Sequence, residues 1–327
     1  MSNTGLPFIW DCHVCLPLDP RAALTPLDDH KKGGTNVVSI NVGMDMNKPD
    51  QILRVIAAFT AKIEAQPRRY RLVGNIDDIN NAMNDGVMGI YFDLEGSTML
   101  QDMPEMIPLF HKLGVRQIHF AYNRNNSVAS GCHDADTGLT ELGCQMVRAV
   151  NHTGMIMDCS HMGKRASIDV MAASSKPVVF SHSNPRALCD HARCIDDEQI
   201  KLCAAQNGVI GLSGYNRFIG TAANPTPVQM GEQIDYVVQL VGIDHAGLGL
   251  DQMYSQADCS DFPDGVDNSY WWPKAFGYGD DGIAEAAVFS PLLMGKLDKE
   301  LDRRGYSGLD RAKVFGLNFS RVAVSSW

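Results

Sequence analysis

No stretch of this chain approaches the roughly 18 consecutive apolar residues of a membrane-crossing helix, and Lys and Arg never run together beyond a pair. The first absence excludes a spanning helix as the organising feature. The second, with a formal charge of −10 from 28 basic against 38 acidic residues, argues against nucleic acid or an anionic membrane surface as the main partner. No basic segment leads into a long apolar one near the start and no hydrophobic tail closes the chain, so neither a leader nor a membrane anchor is expected. Internal repeats, low-complexity segments and long linkers are also missing from the 327 residues. The nine cysteines are an odd number without regular spacing. They read as reduced thiols, which places the protein in the cytoplasm.

What is present is alternation. Short apolar, β-branched runs bounded by turn residues occur at Phe8–Cys15, Thr35–Val42, Val87–Leu94, Val115–Tyr122, Met155–Cys159, Val178–Ser181, Gly208–Leu212 and Ala246–Leu250. Between several of them apolar residues recur at helical spacing, over Pro49–Ala65, Leu139–Asn151 (with Thr140 as N-cap), Asp196–Asn207 and Pro227–Val241. Strand and helix alternating eight times predict an α/β fold of the (β/α)8 TIM-barrel type, here one domain over residues 1–327. The Asp-, Gly-, Pro- and aromatic-rich segment near 255–282 reads as a loop excursion, and helices near Ala284–Arg303 and Leu309–Val324 are expected to close the barrel.

Three of the runs end in histidine, at His13, His161 and His182, and a fourth ends in Glu95 followed by Gly96. Strand ends converge on one rim of such a barrel, which is where a metal site is assembled. Residues i and i+2 of a strand share a side, so His13 and Cys15 can reach one ion together. These five residues are the candidate ligands. Taken alone, Arg193 reads as a surface arginine in a loop and Cys12, Cys159, Cys189 and Cys203 as core side chains, while Asp251 reads equally as a cap or turn residue. His119, His133, His152 and His245 carry no assigned role.

The motifs around these residues resemble the renal (membrane) dipeptidase family of zinc metallopeptidases. Asp11-Cys12-His13-Val14-Cys15 is similar to the family's Asp-Gly-His-Asn-Asp, and Glu95-Gly96 to its Glu-Gly. Gly154–His161 is similar to Gly-Met-Ile-x-Asp-x-Ser-His, Ser181–Asn184 to Ser-His-Ser-Asn, and Asp244–Asp251 to Asp-His-x-Gly-Leu-Gly-x-Asp. The resemblance implies one or two zinc ions, one held by His13 and position 15, the other by His161 and His182, with Glu95 bridging. It further implies that Arg193 grips a substrate carboxylate and that Asp251 contacts the substrate amine and shuttles a proton. Tyr122 stands where many members place a histidine that stabilises the oxyanion. The implied activity is hydrolysis of an amide bond in a dipeptide or related small carboxylate.

Three positions depart from the family: Cys15 replaces aspartate, Tyr122 replaces histidine, and Cys194 replaces asparagine after Arg193. A thiolate is a competent zinc ligand but softer than a carboxylate. The readings left open are a hydrolase of dipeptides, a hydrolase of other amides or lactones, a metal- or ligand-binding protein on an altered scaffold, and non-hydrolytic or cysteine-based chemistry. Tyr270-Trp271-Trp272 is expected as exposed aromatic surface for a lid or a subunit contact, which makes a homo-oligomer a candidate state.

Overall fold

The computed structural model describes residues 6–260, 262–263, 265–279, 282–283 and 287–327. Its strands are β1 (Trp10–Cys15), β2 (Val37–Met44), β3 (Tyr70–Leu72), β4 (Met88–Glu95), β5 (Val115–His119), β6 (Ile156–Asp158), β7 (Val178–Phe180), β8 (Val209–Leu212), β9 (Ala246–Leu248) and β10 (Gln252–Met253). The hydrogen-bonded order is β10-β1-β2-β4-β5-β6-β7-β8-β9, every pair parallel, with β3 added beside β4. β10 continues β9 after a bend: β9 pairs with β8, while β10 pairs with β1. Leu250 N–H donates to Asp11 Oδ1 (2.8 Å) and Asp251 N–H to the His13 carbonyl (3.1 Å). The strand path therefore returns to its start, giving the predicted eight-staved TIM barrel.

All eight expected strands form. β3 and β10 were not expected; at three and two residues they are too short to show a period. The helix Pro227–Val241 has its predicted limits, and the Thr140 hydroxyl caps Glu141–Thr153 by accepting from Gly143 N–H at 3.1 Å. The closing helices differ in part. Pro291 opens a short turn, so the first runs only over Met294–Arg303, and residues 284–286 lie outside the described residues. The second is Gly308–Ala312, a π-turn at Lys313–Leu317, then Asn318–Ser326.

Two apolar layers fix the barrel. Ile9, Val38, Ile40, Ile90, Phe92, Ile118 and Phe180 pack outward under the helices, while Trp10, Val37, Tyr91, Ile156, Val179, Val209 and Phe319 fill the lower interior. Gly247 is required here, because a Cβ would sit 2.5 Å from the Phe319 ring. Burying one such side chain stabilises by roughly 1.5–3 kcal/mol. With its lower end plugged by apolar side chains, the barrel leaves its polar groups to the opposite rim. No described helix is long and apolar enough to cross a membrane.

Candidate metal centre

The site begins with irregularities at strand ends. Three residue steps of β1, Asp11 to Val14, stand against two of β2, Val38 to Ile40. This bulge changes the alternation. Asp11 faces outward, 3.0 Å from His30 Nε2, whereas both Cys12 and His13 turn inward. Cys12 meets Tyr91 and Gln117 below the site, a core position as expected. Glu95 ends β4, and Gly96 (φ +124°) turns the chain where a Cβ would strike the Asp45 carboxylate. His161 (φ +64°) and Asp251 (φ +60°) adopt left-handed backbone, uncommon for such residues and a mark of sites that the fold over-determines.

Four imidazoles surround one carboxylate oxygen. Glu95 Oε1 lies 3.5 Å from His13 Nε2, 3.5 Å from His119 Nε2, 3.2 Å from His161 Nε2 and 3.4 Å from His182 Nε2. Cys15 Sγ is 3.3 Å from His13 Nε2, and Asp251 Oδ1 4.0 Å from it. Donor atoms in a tetrahedral shell of about 2.0–2.2 Å radius are separated by about 3.3–3.6 Å, the spacing seen here. All five sequence-predicted ligands are thus gathered, and Asp251 with them. His119, to which the sequence assigned no role, lies among them.

The outer ring nitrogens show which atoms are free to bind. Ser181 Oγ gives its only proton to Asp158, so at 2.7 Å it must accept from His182 Nδ1–H. Asn123 Oδ1 accepts from His161 Nδ1–H at 2.8 Å, and Asp93 Oδ2 lies 3.3 Å from His13 Nδ1. Asp93 is itself held by Ser39 and Asn41. In both His161 and His182 the proton sits on Nδ1 and the lone pair on Nε2, yet these Nε2 atoms are 2.9 Å apart. Two lone pairs facing each other beside a carboxylate, with no proton between them, are an arrangement that a cation satisfies. Burial first, then Arg193 and neighbouring imidazoles, holds both rings well below the usual histidine pKa. For His13 burial works in the same direction, but the charges of Asp93 and Glu95 outweigh it and raise its pKa. Burial pushes the Cys15 thiol to about 12, so it must shed a proton to bind a metal.

A cleft rises from this floor, walled by Met44, Tyr122, Tyr215, Phe218, Phe262, Trp272 and Tyr278, with Cys15, Glu95, His161 and Asp251 at its base. Tyr122 stacks on His161 (4.3 Å, 25°), and its hydroxyl accepts from Trp272 Nε1–H at 3.1 Å. Trp272 is therefore buried, contrary to the expectation of an exposed aromatic run; Tyr270 alone fits that description, 47% exposed. Asp251 is a buried turn residue between β9 and β10, not a cap, and burial raises its carboxyl to about 6. Arg193 is 2% exposed, which removes the surface reading. It lines a smaller adjoining cavity that shares His161 with the cleft. Cys189 is half-buried in a loop, not core; a hydrogen bond with Cys194 lowers its thiol to about 7.

His133 stacks on Phe276 (4.4 Å, 12°) at the edge of this wall, where burial, then the Arg193 charge, lowers its pKa to about 3. The folded state keeps this ring neutral, while the unfolded chain protonates it near 6.5. Its contribution is complete above pH 6.5 and is lost as pH falls toward 3. We expect about 2 kcal/mol of lost stability from this residue between pH 7 and pH 5. Urea titrations of the protein and of His133→Phe at both pH values check this; an equal pH dependence in the two proteins would refute it.

The sequence pattern of a family described as membrane dipeptidase (peptidase family M19) matches residues 28–270. Dipeptidase tcpJ of Claviceps purpurea is 32% identical over 268 residues, covering 80% of this chain and 56% of that protein. Dipeptidase verJ of Clonostachys rogersoniana is 27% identical over 266 residues, covering 80% and 62%. The chain thus spans little more than half the length of these relatives. Among solved structures, an amidohydrolase from Pseudomonas aeruginosa superposes with a TM-score of 0.84 at 25% identity over 98% of this chain and 97% of its own. A metallo peptidase from Rhodobacter sphaeroides, liganded with a phosphinate mimic of L-Ala-D-Ala, has the same fold: TM-score 0.78 at 18% identity over 98% of this chain and all of its own.

Proposed function

The chain belongs to the membrane dipeptidase family, and from that premise we propose that it is a zinc-dependent hydrolase of dipeptides or related small amides with a free carboxylate. The observation that carries the reading is the pair of facing His161 and His182 Nε2 atoms beside Glu95 Oε1. Imidazole, thiolate and carboxylate donors together suit zinc. When bound, one or two such ions supply an acidified water and polarise the scissile carbonyl.

The chain's own residues do the rest. His13, Cys15 and Asp251 form one group of donors, Glu95 belongs to two more, and the Asp93 and Asp158–Ser181 contacts keep the rings oriented. A carboxyl titrating near 6 lets Asp251 take a proton from the attacking water and return it to the leaving nitrogen at neutral pH. The Tyr122 hydroxyl already accepts from Trp272, so its own proton is left for the developing oxyanion. Arg193 offers the substrate carboxylate a buried guanidinium that has no carboxylate partner among the described residues. The aromatic wall favours a bulky apolar side chain on the substrate.

A panel of L,L- and L,D-dipeptides beside N-acyl amino acids tests this, with zinc loaded, stripped by chelator and restored. Bulky apolar dipeptides should be hydrolysed about tenfold or more faster than acidic ones, a difference of one well-packed side chain. Activity should vanish with the metal and return with it. Turnover of none of them by zinc-loaded protein would sink the reading, and activity appearing only in Cys15→Asp would identify a scaffold that has lost catalysis.

A further inference from the structure

We infer that His119 is a metal ligand of this chain, a third imidazole supplied to the ion that Glu95, His161 and His182 would hold. The inference rests on the metallohydrolase reading and adds a donor that none of the sequence motifs assigned. His119 Nε2 stands 3.5 Å from Glu95 Oε1, a distance equal to that of His13 and close to those of the other two histidines. A charge-assisted hydrogen bond from an imidazole to a carboxylate would be about 2.7–2.9 Å. The longer spacing is that of two ligands sharing one ion. The ring lies stacked on His161, with centroids 5.1 Å apart and planes 19° from parallel, so its nitrogen approaches the same volume. Glu95, His119 and His161 also bring their donor atoms within 4.8 Å of one another.

His119 differs from its neighbours behind the ring. Nδ1 of His161 and of His182 is hydrogen-bonded to Asn123 and Ser181, and His13 Nδ1, though without a hydrogen bond, lies 3.3 Å from the Asp93 carboxylate, whereas His119 Nδ1 is buried with no hydrogen-bond partner and no ion pair among the described residues. A fully buried imidazole without a partner on its outer nitrogen is costly unless its inner nitrogen gains a strong interaction. Coordination is such an interaction. Its consequence would be that Glu95, His119 and His161, whose donor atoms lie together, serve the same ion. The thiolate at position 15 and the extra imidazole at 119 are two departures that shift the donor set of the pair from oxygen toward sulfur and nitrogen.

Zinc affinity measured by competition with a chromophoric chelator in the wild type, His119→Gln and His161→Gln tests this. We expect His119→Gln to weaken zinc binding about 100-fold or more, beyond the range for outer-shell changes. Proton NMR of the cobalt-substituted wild type should show four hyperfine-shifted, exchangeable imidazole N–H signals. With two cobalt ions bound the count is four against three, and with one ion at Glu95, His161 and His182 it is three against two, so the count taken with the measured cobalt stoichiometry decides the matter even if His119→Gln fails to fold. The lower count, with zinc affinity lost in His161→Gln but kept in His119→Gln, would overturn the inference and leave the metallohydrolase reading standing. A wild type that binds neither zinc nor cobalt would overturn both.

Discussion

Glu95→Gln should strip the protein of tightly bound metal and lower kcat/KM for its best dipeptide by about 10³-fold or more, some 4 kcal/mol of lost transition-state stabilisation. The argument is geometric. Glu95 Oε1 lies within 3.5 Å of all four imidazole nitrogens, and no other carboxylate among the described residues approaches all four as closely. Glutamine keeps the size and an acceptor oxygen, so the barrel should still fold, with an unchanged circular dichroism spectrum. What should disappear is linkage: zinc bound by the folded state alone would stabilise the wild type, so its Tm should rise with zinc concentration. In Glu95→Gln the Tm should no longer respond. Elemental analysis, the zinc dependence of Tm and single-substrate kinetics check the three parts. A variant that keeps its metal and stays within threefold of wild-type activity would refute the central role given to this carboxylate.

The fold was legible because a parallel barrel repeats its signal. Eight buried strands, each too short to be convincing alone, fall at regular intervals between helical patterns, and caps such as Thr140 mark where helices begin. The candidate metal ligands were legible for the same reason, since His13, Glu95, His161 and His182 all stand close to or just past strand ends. His119 stands at one too, closing β5 on the same side as Gln117, but a histidine there has no sequence mark separating it from a core residue. Its meaning comes from neighbours on other strands, and which residues face inward at the rim depends on bulges such as that between Asp11 and Val14. Asn123, Asp93 and Asp158 were invisible on the same ground: each acts by holding a ring that comes from elsewhere in the chain. Trp272 lies in a polar, glycine-rich segment that reads as surface, and only the contact with Tyr122 reveals it as part of the wall.

Arg193→Met should remove the enzyme's preference for a free C-terminal carboxylate. Of the five N–H donors of a guanidinium, two are used: Nη2 donates to the His182 carbonyl at 2.9 Å and Nη1 to Ser183 Oγ at 3.2 Å. The Nε–H is buried without a hydrogen-bond partner among the described residues, and the cation lies 5.3 Å above the Phe218 ring. A buried cation with spare donors and no ion-paired carboxylate among the described residues carries a desolvation cost that an anionic ligand offsets. Charge-assisted hydrogen bonds of this kind contribute about 1.5–3 kcal/mol, so kcat/KM for a dipeptide should fall about 100-fold. Hydrolysis of the same dipeptide with an amidated C-terminus should change little, because that substrate never used the charge. Arg193→Lys should recover part of the loss, keeping the charge without the planar fork. Removing an unpaired buried cation should leave metal-free stability unchanged or raised, which a urea titration measures. An equal fall for acid and amide, with weakened zinc binding, would instead make Arg193 a tether for the His182–Ser183 backbone and remove it from substrate recognition.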